Sequence, residues 1–149
     1  VILNKKDPQV GRIQQAIEKA IAQGIEKGKF TAKQAKASTF TVCLRDGDPL
    51  VESEERPAHY KGKMFMNCSA GMSRPGMVDE NVEPVYDPAE VFYSGCRANV
   101  DVNIYPYAHP KGGKGVACWL NNVMFAGDDE RLDGRQKPEE AFSAFKPQE

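Results

Sequence analysis

The sequence predicts a mainly β fold, a small twisted barrel of about five short strands with one long inserted or flanking helix and short additional helices. Three observations predict it. Residues 93–107 alternate: Cys96, Ala98, Val100, Val102 and Ile104 fall on one side, and Arg97, Asn99, Asn103, Tyr105 and Tyr107 on the other, as successive side chains of a strand must. Residues 116–125 read as the return strand of a hairpin, across a loop rich in glycine and lysine. Between residues 8 and 27, Val10, Ile13, Ile17, Ala20, Ile21 and Gly24 recur at helical spacing.

The remaining elements follow in order. Val1-Ile2-Leu3 reads as the end of a strand whose beginning lies upstream of Val1. Asp7-Pro8 opens the long helix, with Asp as the cap and Pro in the first turn, and Gly28 ends it. A short helical piece is expected at residues 31–37. Residues 39–45 form a strand with Phe40, Val42 and Leu44 on one face and Thr41, Cys43 and Arg45 on the other. Asp46-Gly47-Asp48-Pro49 is a turn, and the charged run 52–57 a loop. Residues 61–69 make the next strand: Met64, Met66 and Cys68 alternate with Lys63, Phe65, Asn67 and Ser69. Arg74-Pro75-Gly76 turns the chain, and Asp87-Pro88 starts a short helix over 89–92. Pro106, which has no N–H to give, places the end of the 93–107 strand at an edge or a bulge. In the return strand Val116, Cys118 and Leu120 oppose Ala117, Trp119 and Asn121. A C-terminal helix or tail is expected over about 137–149, its helical part at 138–145. There are no internal repeats, so residues 1–149 read as a single domain. An oligonucleotide-binding barrel has this size and binds its ligand on a strand face between loops. A helix-covered open α+β sheet is the alternative.

Composition narrows the function classes. The 149 residues are 40% hydrophobic and 28% charged, with a net charge of −1, which fits a globular protein with its own core and not a strongly basic one. The charge is unevenly spread: residues 1–75 carry +5 and residues 76–149 carry −6. Local potential depends on such arrangement as well as on the total. Four scattered cysteines without a Cys-x-x-Cys pair, and only two histidines, do not have the spacing of a zinc site. They read as buried, reduced thiols in a reducing compartment. No apolar run is long enough to span a membrane, and no signal peptide opens the chain.

The polar faces carry the functional argument. Cations and flat rings alternating along strands suit a charged polymer with stackable bases, so single-stranded nucleic acid is the leading ligand. Phe65, Tyr105, Tyr107 and Trp119 are the candidate stacking rings. Lys61, Lys63, Arg74, Arg97, Lys111 and Lys114 are the candidate phosphate partners. Gly112-Gly113-Lys114-Gly115 lacks the spacing of a nucleotide-hydrolysing phosphate loop and opens a strand, not a helix. Asp46 and Asp48 could hold a divalent ion, which keeps a metal-dependent nuclease open, although turn chemistry alone accounts for them. A protein-interaction module that binds no DNA is the third class. No catalytic residue, metal or cofactor is expected.

Several segments together resemble one family. They are residues 59–70, with Tyr60-Lys61-Gly62-Lys63-Met64-Phe65; residues 74–79, opening Arg74-Pro75-Gly76; residues 85–96, with Val85-Tyr86-Asp87-Pro88; and residues 113–123, with Ala117-Cys118-Trp119-Leu120-Asn121. The opening helix and the tail from Gly134 to Phe145 are similar too. In order and over nearly the whole chain, they resemble single-stranded-DNA-binding proteins of tailed bacteriophages. The resemblance implies an oligonucleotide-binding fold, sequence-independent binding of single-stranded DNA, and work in phage replication or recombination in the host bacterial cytoplasm. It implies no catalysis and no cofactor. Partners among phage replication or recombination proteins, and cooperative self-association on DNA, belong to the same expectation. The strands at 61–69 and 93–107 and the strand of Trp119 would form the binding sheet. Residues 137–149 are only mildly acidic, which leaves recruitment of partners through an acidic tail in doubt.

Overall fold

The computed structural model describes residues 1–133 and 138–147. It is mainly β with few helices, and it falls into two compact units. The first comprises Val1–Gly76 and Val100–Asn122, the second Met77–Asn99 and Val123–Glu149. The strands are β1 (Ile2–Asn4), β2 (Thr41–Val42), β3 (Leu44–Asp46), β4 (Lys63–Met66), β5 (Gly76–Val78), β6 (Arg97–Ala108) and β7 (Lys114–Gly127). The helices are α1 (Pro8–Glu26), α2 (Ala32–Ala35), α3 (Asp48–Glu52), α4 (Pro88–Val91) and α5 (Pro138–Ala141).

In the first unit β4 lies between β1 and β3, antiparallel to both, with Phe65 facing Ile2 on one neighbour and Arg45 on the other. A second sheet has the order β2-β7-β5, and β6 pairs with β7. Two corners stitch the sheets. At Cys43 the chain leaves one sheet for the other: its N–H donates to Val116 O at 3.0 Å, and its carbonyl accepts from Asn67 N at 3.1 Å. Beyond β4, Ser69 N donates to Cys118 O at 3.0 Å and Leu120 N to Ser69 O at 2.8 Å. The sequence predicts about five strands. The structure has more because the 39–45 strand divides at Cys43 and because β5, missed as part of a turn, adds one. The division also breaks the expected alternation, since the neighbours Cys43 and Leu44 are both buried.

Helix α1 starts as its sequence dictates. The Asp7 side chain accepts from Gln9 N at 2.9 Å, and Pro8 follows it in the first turn. Val10, Ile17 and Ala20 bury their side chains in a core shared with Cys43, Leu44, Met66, Val116 and Cys118. Each large apolar side chain so buried stabilises the fold by about 1.5–3 kcal/mol. Gly24 is required by packing: a Cβ there would lie 2.3 Å from the Phe30 ring and 2.9 Å from Pro106. The short helix α2 carries a complete capping box between Thr31 and Gln34. In place of the expected plain turn, Asp48-Pro49 opens α3.

In the second unit Phe125 is buried and meets Phe92 edge-on at 6.0 Å between centroids. The expected helix at 138–145 is α5 followed by a 3-10 turn at Ser143–Phe145, and all of its residues are exposed. The rest of the expected tail, residues 134–137 and 148–149, lies outside the described residues.

All four cysteines are free thiols; Cys43 and Cys118 are buried, whereas Cys68 and Cys96, expected to be buried, are only partly covered. Cys68 Sγ lies 3.4 Å from Cys118 Sγ. That contact holds the Cys68 thiol down to about 7 against the opposing effect of burial, and it pushes Cys118 up, with burial acting in the same direction. Alkylation of Cys68 by iodoacetamide should therefore rise through about pH 7, because the thiolate is the nucleophile. In Cys118→Ala the midpoint should move up toward the ordinary thiol value of about 8.5. Peptide mass spectrometry across pH reads both, and a wild-type midpoint at the ordinary value would refute the assignment.

Candidate nucleic-acid interface

Alternation in β6 and β7 sorts the candidate residues. Val102 and Ile104 pack against the core, and Val116 and Cys118 are in it, so their strand neighbours face outward. Trp119 is 38% exposed and Tyr105 37% exposed. Trp119 bridges Ser69 in parallel pairing, and Gly71 lies against its indole. A Cβ on Gly71 would approach ring carbon Cη2 to 2.3 Å. The tryptophan is thus braced along one edge and partly open. Next along the outer surface, Asn122 Nδ2 donates to Asp101 Oδ2 at 2.8 Å.

The hairpin tip places three more candidates. His109 N donates to Gly113 O at 2.7 Å and closes the loop. Tyr107 is half-buried over the tip glycines: a Cβ on Gly113 would touch its ring at 3.6 Å and one on Gly115 at 3.1 Å. Lys111 is exposed and Lys114 half-buried. Elsewhere in the first unit, Lys61 and Arg74 are exposed. Lys63 is half-buried, and its ammonium donates to Asn4 Oδ1.

One expectation needs correction. Phe65 is 3% exposed, so no base can lie on its ring. Tyr60 meets it edge-on at 5.3 Å, and the guanidinium groups of Arg45 and Arg56 lie 5.7 and 5.4 Å from its centroid. Phe65 does point away from the Met64 and Met66 side, as alternation requires, but its own face is covered. Arg97, for its part, belongs to the second unit and is not a bare cation. Its Nε donates to Asp129 Oδ2 at 3.1 Å. The Asp129 carboxyl is held below its ordinary range first by the Glu130 N–H and then by Arg97. In the same unit the Tyr93 hydroxyl donates to Asp128 Oδ1 at 2.7 Å and accepts from Asp129 N at 2.9 Å, while Arg131 sits 4.6 Å from the Tyr93 ring centroid.

The acidic turn proposed as an ion site is already engaged. Lys5 Nζ lies 2.9 Å from Asp46 Oδ1 and 2.6 Å from Asp48 Oδ2. Asp46 also accepts from Asp48 N, and Asp48 from Gly62 N. The Gly62 N–H and then Lys5 hold the Asp48 carboxyl below its usual value, and Lys5 and then the Asp48 N–H do so for Asp46. Sequence reasoning missed Arg45 and Arg56. Arg45 was read only as a strand residue and Arg56 as part of a charged loop, and nothing in local spacing brings both to one ring.

Comparisons with known proteins place the chain in a family. The family model described as the ssDNA-binding protein of Enterobacter phage Enc34 matches residues 1–149. Putative protein p50 of Acyrthosiphon pisum secondary endosymbiont phage 1 is 37% identical over 92 residues, which is 62% of this chain but 46% of that protein. The match therefore spans just under half of that relative. The bacteriophage Enc34 single-stranded DNA-binding protein in complex with ssDNA is similar at a TM-score of 0.55 with 25% identity, over 79% of this chain and 67% of that one. A C-terminal truncation of the same protein gives a TM-score of 0.56 with 25% identity, over 79% and 66%. The single-stranded DNA-binding protein gp2.5 of bacteriophage T7, at 17% identity and a TM-score of 0.54 over 91% and 78%, shares the fold. Matched along its entire length, the chain belongs to the family of the Enterobacter phage Enc34 ssDNA-binding protein.

Proposed function

We propose that this chain binds single-stranded DNA without sequence preference and protects it during phage DNA replication or recombination in the host bacterial cytoplasm. The single observation that carries the reading is the outward pair Trp119 and Tyr105, partly exposed on strands whose other face is core. In a family whose namesake is an ssDNA-binding protein, such rings are stacking platforms, and any base can stack on them. Tyr107 and Lys111, Lys114, Lys61, Lys63 and Arg74 complete the proposed contact set in the first unit. In the second unit, Arg97 is a separate proposed phosphate contact, made by exchanging Asp129 for a phosphate. The two sheets stitched at Cys43 and Ser69 are read as an oligonucleotide-binding barrel carrying α1 as its flanking helix, with the whole chain acting as one binding module. Cooperative coating of the strand and contacts with replication or recombination proteins belong to the same reading. Among the described residues no helix is long and apolar enough to cross a membrane.

The protein is read as a binder and not an enzyme. For the nuclease alternative, a cation at Asp46 and Asp48 would first have to displace the Lys5 ammonium. One titration decides. A fluorescein-labelled poly-thymidine oligomer, with and without magnesium, should bind saturably, bind more weakly as salt rises, and stay intact. Absence of binding at low salt would favour a protein-interaction module, and cleavage in magnesium a nuclease; either result overturns the proposal.

A further inference from the structure

We infer that Arg45 and Arg56 form a phosphate clamp for the bound strand, a site distinct from the stacking platform; the inference rests on the ssDNA reading above. Both arginines are exposed. Their guanidinium groups lie 5.7 and 5.4 Å from the centroid of the Phe65 ring, and Arg56 lies 5.5 Å from that of Tyr60. The rings are themselves fixed. Phe65 is held in register between Ile2 and Arg45 and meets Tyr60 edge-on. Guanidinium groups resting on rings keep their N–H groups available to an incoming anion.

Neither arginine makes an ion pair among the described residues. Of the acidic groups nearby in sequence, Asp46 and Asp48 are paired with Lys5, Glu55 accepts from the Ser53 hydroxyl at 2.9 Å, and Glu52 and Glu54 are exposed. Two guanidinium groups gathered on one buried ring repel each other, and a phosphodiester between them would relieve that repulsion. A phosphodiester also suits the planar donor fork of arginine.

The clamp also connects to the platform. Phe65 lies near the end of β4; beyond the strand Asn67 and Ser69 are exposed, and Ser69 bridges Trp119. The four steps from Phe65 to Ser69 span at most about 13 Å, a reach compatible with a site of several nucleotides. A single strand lying along this stretch would have one end at the arginines and a base on the tryptophan.

Two measurements test the clamp. In the wild-type chain, modification of Arg45 and Arg56 by phenylglyoxal should fall when a poly-thymidine oligomer is bound, as read by peptide mass spectrometry. In the double variant Arg45→Gln/Arg56→Gln, the slope of log affinity against log salt should become shallower by about 1.4, at roughly 0.7 per phosphate contact on a single strand. Arg45→Lys/Arg56→Lys should keep most of the slope. If the wild type binds the oligomer while both arginines stay fully reactive, or if the glutamine variant keeps the wild-type slope, the clamp is refuted and the ssDNA reading stands. If the wild type binds no oligomer, that reading fails and the clamp fails with it. Should the glutamine variant not fold, the protection experiment decides alone.

Discussion

Trp119→Ala is expected to weaken binding of a poly-thymidine oligomer by one to two orders of magnitude, because stacking of one base on an aromatic ring is worth about 1–3 kcal/mol. The indole is partly open on the outer side of β7 and braced along one edge by Gly71, so a modest fall in thermal stability should accompany the loss of affinity. The salt slope should not move, because the substitution removes no charge. Trp119 is the chain's single tryptophan, so its fluorescence reports directly on the contact. Saturating oligomer should quench it. Unquenched emission at saturation, together with wild-type affinity in the alanine variant, would exclude Trp119 from the interface.

Phe65→Ala should act on stability first. The ring is 3% exposed and supports Tyr60, Arg45 and Arg56. Truncating a buried phenylalanine costs about 3–5 kcal/mol, a large part of the roughly 5–15 kcal/mol that holds a domain together. A strong fall in the urea midpoint is the expected readout, and Phe65→Leu should recover much of it. A wild-type midpoint combined with lost affinity would return Phe65 to the stacking set.

What the sequence made legible was local. Helix α1 could be read from its apolar spacing and its Asp-Pro start, because both are properties of one continuous segment. The β6–β7 hairpin could be read in the same way from alternation on either side of a glycine-rich loop. Alternation also assigned Phe65 to the side opposite Met64 and Met66. It could not say what covers that side, because Tyr60, Arg45 and Arg56 arrive from other segments. Cys43 was invisible as a corner: it looks like any strand residue until its N–H and its carbonyl are seen to serve different sheets. Strand β5 is short and begins with glycine directly after Arg74-Pro75, so turn chemistry masked it. Arg97 was legible as an exposed cation, but its Asp129 partner lies 32 positions away in sequence.

Pro106 has a further consequence. Among the described residues strand β6 pairs only with β7, and an unpaired strand border invites another molecule to zip onto it. A proline within that border interrupts the row of donors such growth would need, and here the ring is buried, with Gly24 of α1 close beside it. Molecules crowded side by side on one nucleic-acid strand reach very high local concentrations, where runaway fibre formation would be a hazard. If copies coat a strand as proposed, Pro106 would keep β6 from zipping onto a neighbour's backbone and leave contacts between copies to side chains.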